Sequence, residues 1–265
     1  MASESYATMN TTVNRQLPVP SLILNAGSSG VGKTTVMKDI LPDIPGLFLL
    51  EKDVYLEQFL HTNPFLLHRS DGTMEKDARY SFTSPEYARH FRDQAYASMF
   101  AIGYQNALLD RSSVLDACYI GWLKDPCGRI SLARRVVNMH QSGRIDLGRI
   151  RMPILFFYVT DSDVVRQRLI RRAEQDPAAK DRDWSKISTP EAWEKQVSKE
   201  PVTWFPDLDQ YTDLLGIDLT QEYAGEHRGR VRGQILEHLY RGRPIAETGI
   251  FKDETLERTL LRFSV

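Results

Sequence analysis

A glycine-rich stretch of eight residues constrains this 265-residue chain more than any other feature. It reads GSSGVGKT, covers residues 27–34, and fits the pattern G-x-x-x-x-G-K-[ST]. An apolar run at 21–24 precedes it, and a helix-like segment follows. Glycines let backbone amides turn inward around a phosphate, and the N-terminus of the next helix favours an anion. The sequence therefore predicts a nucleotide-binding loop made of Gly27, Ser28, Ser29, Gly30, Val31, Gly32, Lys33, Thr34 and Thr35.

Two side chains of this loop have predicted roles of their own. Lys33 is expected to reach the β- and γ-phosphates as a catalytic residue, and the Thr34 hydroxyl to bind Mg²⁺. The plainer alternative is a glycine-rich turn between a strand and a helix. A dinucleotide fingerprint fits worse, because the glycines run G-x-x-G-x-G rather than G-x-G-x-x-G. The guanine-reading pattern NKxD is absent, so ATP with Mg²⁺ is the expected cofactor.

Short apolar runs alternate with longer helix-like segments along the chain. The runs lack strict polar alternation, which is typical of strands covered on both faces of a parallel sheet. They lie at 22–27, 46–53, 112–117, 153–160 and 214–220. Helices are predicted at 33–40, 85–109, 131–140, 162–175, 190–199 and 228–240. The pattern predicts a three-layer α/β fold of the P-loop NTPase type, with a five-stranded, mostly parallel sheet, helices on both faces and a lid.

A single domain at 18–245 accounts for this alternation. Residues 1–17 are expected to form a polar N-terminal tail and residues 246–265 a C-terminal tail. An insert at 54–83 and a connection at 176–189 interrupt the pattern, and connections of that length are more often lids or binding loops than idle linkers.

The composition excludes some classes of partner. The formal net charge is −1, so nothing draws the whole chain toward nucleic acid or a membrane surface. No apolar run approaches the ~18 residues that suggest a membrane span, and the N-terminus lacks the features of a signal peptide. The two cysteines, Cys118 and Cys127, are typical of reduced intracellular thiols. A cytoplasmic location is expected, and the oligomeric state stays open.

The second apolar run ends in a pair of acidic residues. In the sequence FLLEKDVY, Glu51 and Asp53 are two positions apart, which would place both carboxylates on one side of a strand at its carboxyl end. We expect Asp53 to act as the general base for an attacking hydroxyl and Glu51 to hold water around Mg²⁺. The alternative is an acidic cluster that is solvated or paired with Lys52.

The phosphate loop, the segment EKDVY and the segment SSVLDACY together resemble a group of P-loop kinases. The group includes gluconate kinase, chloramphenicol phosphotransferase, the zeta toxins and the kinase domain of phage polynucleotide kinase, and the resemblance covers roughly residues 20–222. In several members an aspartate at the end of the second strand is the general base, and Asp53 matches it. Asp116, which ends VLD, resembles a Walker B aspartate that supports Mg²⁺ through water. It could instead contact substrate or cap the strand.

An arginine-rich segment resembles the lid of nucleotide-type kinases. Arg168 and Arg172 are four residues apart on a predicted helix and so share a face, whereas Arg171 is expected to face away. The resemblance implies a lid at about 168–189 in which Arg172, then Arg168, neutralises charge on the transferring phosphoryl group. Arg182, further along, is expected to contact the nucleotide. On charge alone, an arginine-rich helix is usually a solvated face, and only the phosphate loop favours the lid.

The acceptor is expected to enter between the lid and the insert at 54–83. The first hypothesis is a kinase that phosphorylates a hydroxyl of a small molecule such as a sugar, a nucleotide-sugar or an antibiotic. The second is a polynucleotide 5′-hydroxyl kinase, which needs a basic channel for the strand. Leu56 stands where the polynucleotide enzyme has an arginine, so nucleic acid is the less favoured partner. The third is a nucleotide-binding switch or an ATPase that transfers phosphate only to water.

Overall fold

The central sheet has five strands and is parallel at every neighbouring pair. The computed structural model describes residues 16–54, 67–68, 74–75, 92–124, 132, 134–136, 146–252 and 258. The sheet strands are β1 (Leu22–Ala26), β2 (Phe48–Glu51), β5 (Ser113–Asp116), β6 (Ile154–Tyr158) and β7 (Leu214–Asp218). Their spatial order is β2-β5-β1-β6-β7. This arrangement confirms the predicted α/β fold.

Helices cover both faces of this sheet. They are α1 (Lys33–Ile40), α2 (Arg92–Leu108), α3 (Ile120–Leu123), α4 (Ser162–Gln175), α5 (Pro177–Ile187), α6 (Pro190–Lys199), α7 (Gly225–Arg241) and α8 (Ile245–Thr248). Alternate residues of β1 point to opposite faces, so Leu22 and Leu24 join one buried cluster and Ile23 joins the other. Because both faces are buried, the strands can be apolar throughout, as the sequence shows.

Three predicted helices, at 33–40, 162–175 and 190–199, are confirmed at both ends. The predicted helix at 85–109 is observed as α2, and residues 85–91 lie outside the described part of the chain. Of the predicted helix at 131–140, residues 132 and 134–136 are described and are helical. The last predicted helix, at 228–240, begins three residues earlier as α7.

The connection at 176–189 is mostly helical, although the sequence analysis predicted no helix there. It forms α5, which begins with Pro177 in the first turn, where its fixed backbone angle and missing amide are tolerated. Ala179, Asp183 and Ile187 are buried at a spacing of four residues. A buried aspartate between two buried apolar residues hides the helical period, because aspartate reads as a surface residue.

Both predicted chain boundaries lie too close to the middle of the chain. Leu17, assigned to the polar tail, is buried. Beyond residue 245, Ile250 and Phe251 are buried, and the backbone amide of Thr212 donates to the carbonyl of Ile250. The packed part of the chain therefore extends at least from Leu17 to Phe251, because short apolar segments at its ends complete the core.

Only part of the insert at 54–83 is described. Two short antiparallel strands, β3 (Leu67–His68) and β4 (Met74–Glu75), pair within it. Leu56 and the rest of the insert fall outside the described residues. No helix in the described part of the chain is both long enough and apolar enough to cross a membrane.

Candidate nucleotide-binding and phosphotransfer site

The backbone of the phosphate loop depends on glycine. Gly27, Gly30 and Gly32 have φ angles of 137°, 85° and 107°, in the region that residues with a side chain rarely adopt. At Gly27 a Cβ atom would lie 2.5 Å from the carbonyl oxygen of Phe157 on β6. The loop therefore passes so close to the neighbouring strand that no side chain fits, as expected of a cradle that presents backbone amides to phosphate.

The substitution Gly27→Ala is expected to lower the free energy of unfolding by about 1–3 kcal/mol, because it adds backbone strain and a steric clash with a backbone atom. ATP affinity should fall with it, since relief of the clash requires the loop or β6 to move. Urea unfolding and calorimetric titration with ATP measure the two effects.

Gly229→Ala is the matched control for Gly27→Ala. Gly229 lies in α7, and a Cβ atom there would meet nothing within 4 Å. That variant should gain about 0.5–1 kcal/mol of stability, as alanine generally does over glycine in a helix. Equal stability changes in the two variants would contradict the close packing of the loop.

A cleft of about 610 Å³ opens beside the phosphate loop. Its walls come from the loop and the start of α1, from Asp53, from α4, and from the residues that follow β7. The lining residues are Ser29, Gly30, Val31, Gly32, Lys33, Thr34, Thr35, Asp53, Val164, Gln167, Arg168, Arg171, Arg172, Leu219, Thr220, Glu222 and Tyr223. The cleft lies at the carboxyl ends of the strands, where open parallel sheets bind ligands.

Two members of the predicted loop, Gly27 and Ser28, do not line this cleft. Ser28 is buried, and its hydroxyl shares its proton between the carbonyl oxygens of Glu200 and Pro201 at 3.1 and 2.9 Å. The Ser28 side chain thus anchors the loop to the segment after α6. Ser29, in contrast, lines the cleft.

The predicted metal residues Thr34 and Asp116 are in direct contact. The Thr34 hydroxyl donates to Oδ2 of Asp116 at 2.5 Å, and the side-chain amide of Asn25 donates to Oδ1 at 2.9 Å. Burial raises the pKa of the Asp116 carboxyl, while the nearby Lys33 and these two hydrogen bonds act in the opposite direction. The sequence analysis missed Asn25, although a polar residue in an otherwise apolar strand is a recognisable signal.

These oxygen donors fit Mg²⁺. The ion prefers oxygen ligands and, in nucleotide sites, is held by one or two protein groups together with water and phosphate oxygens. No set of three His, Cys, Asp or Glu residues in the described part of the chain could hold a metal ion by itself. Thr34 and Asp116 are therefore suited to an ion that arrives with a nucleotide.

Glu51, the third predicted metal residue, is turned to another partner. It is the Cα partner of Asp116 in the β2–β5 register, but its carboxylate pairs with Lys38 of α1 at 2.9 Å. It is also absent from the cleft lining. The ion pair is part-exposed, with side-chain exposures of 24% for Glu51 and 56% for Lys38. Its role on the metal side stays a prediction.

Asp53 lines the cleft, but it does not extend the strand. β2 ends at Glu51, and residues 52–54 are helical, so the expected two-residue alternation that would align both carboxylates was wrong. The abrupt change from strand to helix reorients the chain just after Glu51. The Asp53 side chain is half exposed and lies 3.3 Å from the ammonium of Lys52. The carboxylate of Asp53 nevertheless borders the space shared with Lys33 and the phosphate loop.

The predicted lid arginines Arg168 and Arg172 line the cleft and contact the phosphate loop. Arg168 donates to the backbone carbonyls of Val31 at 3.0 Å and Leu219 at 2.8 Å, so it joins α4 to the phosphate loop and to the end of β7. Burial is the main cause that lowers its pKa. Arg171 also lines the cleft, which contradicts the expectation that it faces away.

Arg172 connects the loop with α5. One terminal nitrogen donates to the Ser29 hydroxyl at 3.2 Å and also pairs with the buried carboxylate of Asp183. The sequence analysis did not single out Asp183. Arg182 belongs to α5, but its side chain lies outside the described part of the structure, so its predicted nucleotide contact stays a prediction.

A tyrosine at the far end of the cleft was also missed. The Tyr223 hydroxyl donates to the carboxylate of Asp39 on α1 at 2.8 Å, and Arg228 of α7 holds the same carboxylate. The hydrogen bond from Arg228 is the main cause that lowers the pKa of Asp39. Because these residues are far apart in the sequence, no local pattern could have placed Tyr223 in the site.

Comparison with solved structures supports the fold. A "putative kinase" from Chloroflexus aurantiacus superposes with a TM-score of 0.53 at 19% identity, covering 83% of this chain and 98% of that one. A gluconokinase from Sinorhizobium meliloti gives a TM-score of 0.41 at 13% identity, covering 86% and 94%. No family model matches the sequence, and no curated protein matches it. The chain has the α/β phosphate-loop fold that it shares with the Chloroflexus protein.

Proposed function

We propose that this protein is an ATP-dependent phosphotransferase that phosphorylates a hydroxyl group of a small molecule. One observation carries the proposal: Asp53 lines the same cleft as the phosphate loop and its Lys33, together with three arginines of α4. A protein that only binds nucleotide has no need of a carboxylate on the acceptor side of the phosphates. The fold shared with the Chloroflexus "putative kinase" is compatible with this activity.

The proposed reaction divides the work among these residues. Asp53 accepts the proton of the acceptor hydroxyl while the oxygen of that hydroxyl attacks the γ-phosphorus of ATP. The bond from the γ-phosphorus to the bridging oxygen breaks, and ADP leaves with that oxygen. Lys33 and the backbone amides of the loop hold the β- and γ-phosphates. Arg172, with Arg168 and Arg171 nearby, offsets the charge that spreads over the transferring group. Mg²⁺ held at Thr34 and Asp116 would neutralise phosphate charge.

The charge of the whole chain bears on the acceptor class, since its formal net value is −1. A polynucleotide would need a basic channel that leads to the base, since phosphate contacts dominate such binding. We therefore propose a small-molecule acceptor, with sugars, nucleotide-sugars and antibiotics as the first candidates.

A screen of ATP consumption tests the proposal. The full-length protein is incubated with MgATP and separate panels of sugars, nucleosides, nucleotide-sugars, antibiotics and 5′-hydroxyl oligonucleotides, and mass spectrometry identifies any product. We expect ADP release to rise with one small-molecule class, with a mass gain of one phosphoryl group on the acceptor. Phosphorylated oligonucleotides, or steady ADP release that no acceptor accelerates, would contradict the proposed activity.

A further inference from the structure

We infer that Asp183, which lies outside the cleft lining, positions Arg172 for the terminal phosphate of the bound nucleotide. The inference rests on the proposed function, because it takes Arg172 to be the arginine that meets this phosphate. It concerns how nucleotide is bound, not how a proton moves. Its test therefore needs no acceptor.

The carboxylate of Asp183 is fully buried in α5, where an ionised group is costly unless it is paired. Two cations are among its partners in the described part of the chain. Arg172 reaches it from α4, and Lys186, on the next turn of α5, lies 3.4 Å away. Because the packing of α5 against α4 determines where this carboxylate lies, it is a fixed counter-charge beside the guanidinium of Arg172.

The guanidinium of Arg172 is hydrogen-bonded through one of its two terminal nitrogens. A single terminal nitrogen donates both to Asp183 and to Ser29 of the phosphate loop. Nε is buried and has no hydrogen-bond partner among the described residues. The guanidinium is a planar fork of five donors, so fixing one corner restricts the direction in which the others point. The side chain is 36% exposed and lines the cleft, where the donors of its other terminal nitrogen can meet phosphate.

The consequence is preorganisation. A free arginine side chain has about 2 kcal/mol of rotamer entropy, part of which it would lose on binding a phosphate. With Asp183 in place, that ordering is largely complete before nucleotide arrives. The effect should be specific to the phosphate that Arg172 reaches, so ATP should gain from it and ADP should not.

Asp183→Asn tests the inference, because it keeps the shape of the side chain and removes the charge. Calorimetry measures Kd for ADP and for the β,γ-imido analogue of ATP, both with Mg²⁺. We expect the preference for the ATP analogue over ADP to fall up to about 10-fold, because an Arg172 side chain that Asp183 no longer holds loses rotamer entropy when it binds phosphate. Lys186→Gln removes a second cation beside Asp183 without touching Arg172, and it should leave the preference within about twofold.

A double-mutant cycle separates positioning from simple support of the fold. If Asp183 acts through Arg172, then Asp183→Asn should add no further loss of preference in an Arg172→Gln background. Additive losses would overturn the inference, as would an unchanged preference in Asp183→Asn. Equal losses for both nucleotides, with a lower melting temperature, would also overturn it and would assign Asp183 a structural role.

Two further outcomes are informative. If Asp183→Asn does not fold, Asp183→Glu keeps the charge but moves it by one methylene, and an unchanged preference in that variant would overturn the inference. Failure of the wild-type protein to bind either nucleotide would contradict the proposed function itself. Binding in the wild type with no effect of the Asp183 variants would contradict this inference alone.

Discussion

Asp53→Asn is expected to lower the rate of phosphoryl transfer by about 10²- to 10⁴-fold, the usual contribution of a general base. Asparagine has nearly the same shape as aspartate but cannot accept the proton of the attacking hydroxyl at neutral pH. ATP affinity should stay within about fivefold, because the Asp53 side chain is half exposed and its ion pair with Lys52 is of the kind that contributes little. Single-turnover transfer to the acceptor identified by the screen, and calorimetric titration with ATP, measure the two quantities.

Asp209→Asn is the matched control for this experiment. Asp209 is exposed in the 3₁₀ turn Pro206–Gln210, outside the cleft lining, and the same change of charge there should leave transfer unaffected. Transfer that persists at the wild-type rate in Asp53→Asn would remove this residue as the base. A loss of ATP binding that parallels the loss of transfer would show instead that Asp53 holds the nucleotide.

The sequence predicts most of the architecture because the signals are local. The phosphate loop is one continuous motif. The boundaries of three helices are marked within a few positions by cap residues, prolines and apolar spacing. Asn25 and Asp116 come together because parallel strands align their carboxyl ends, and Thr34 joins them from the first turn of α1.

The contacts that escape prediction join distant parts of the chain. Ser28 donates to carbonyls 172 and 173 residues later, and Tyr223 donates to a carboxylate 184 residues earlier. Neither partner has a side-chain pattern that would reveal the contact from sequence. The helical segment at 52–54 is a different case: its sequence, Lys-Asp-Val, fits either a strand end or a helix start, and tertiary context decides.

The buried Asp183 shows most clearly which contacts cannot be predicted from the sequence. In sequence it lies among charged residues, in the segment KDRDW, and is typical of a solvated helix face. Its burial depends on α5 packing against α4, and its ion pair depends on Arg172 reaching between the two helices. The arginine could be predicted from its spacing on α4, but the residue that holds it required the packed structure.

Lys33→Met is expected to lower nucleotide turnover by about 10²- to 10³-fold, the range found when one preorganised donor to a transition-state oxyanion is removed. Lys33 is the first residue of α1 and lines the cleft, where the loop glycines and the helix N-terminus present amides toward the same space. Methionine keeps much of the length and apolar character of the side chain but has no charge. ATP affinity should also fall, by about 10-fold or more, as expected for a lost charge-assisted hydrogen bond.

The Lys33 result separates loss of phosphate binding from loss of the fold. Lys195→Met is the control, since Lys195 is exposed on α6 and outside the cleft lining, and its turnover should equal that of the wild type. Lys33→Met should also keep the wild-type melting temperature within about 2 °C, because the removed ammonium supports no core packing. Nucleotide turnover that survives in a folded Lys33→Met protein would mean that the phosphates do not bind in the glycine cradle. The roles of Thr34, Asp53, Asp116 and Arg172 are all defined relative to phosphates in that cradle, so this result would contradict them as well.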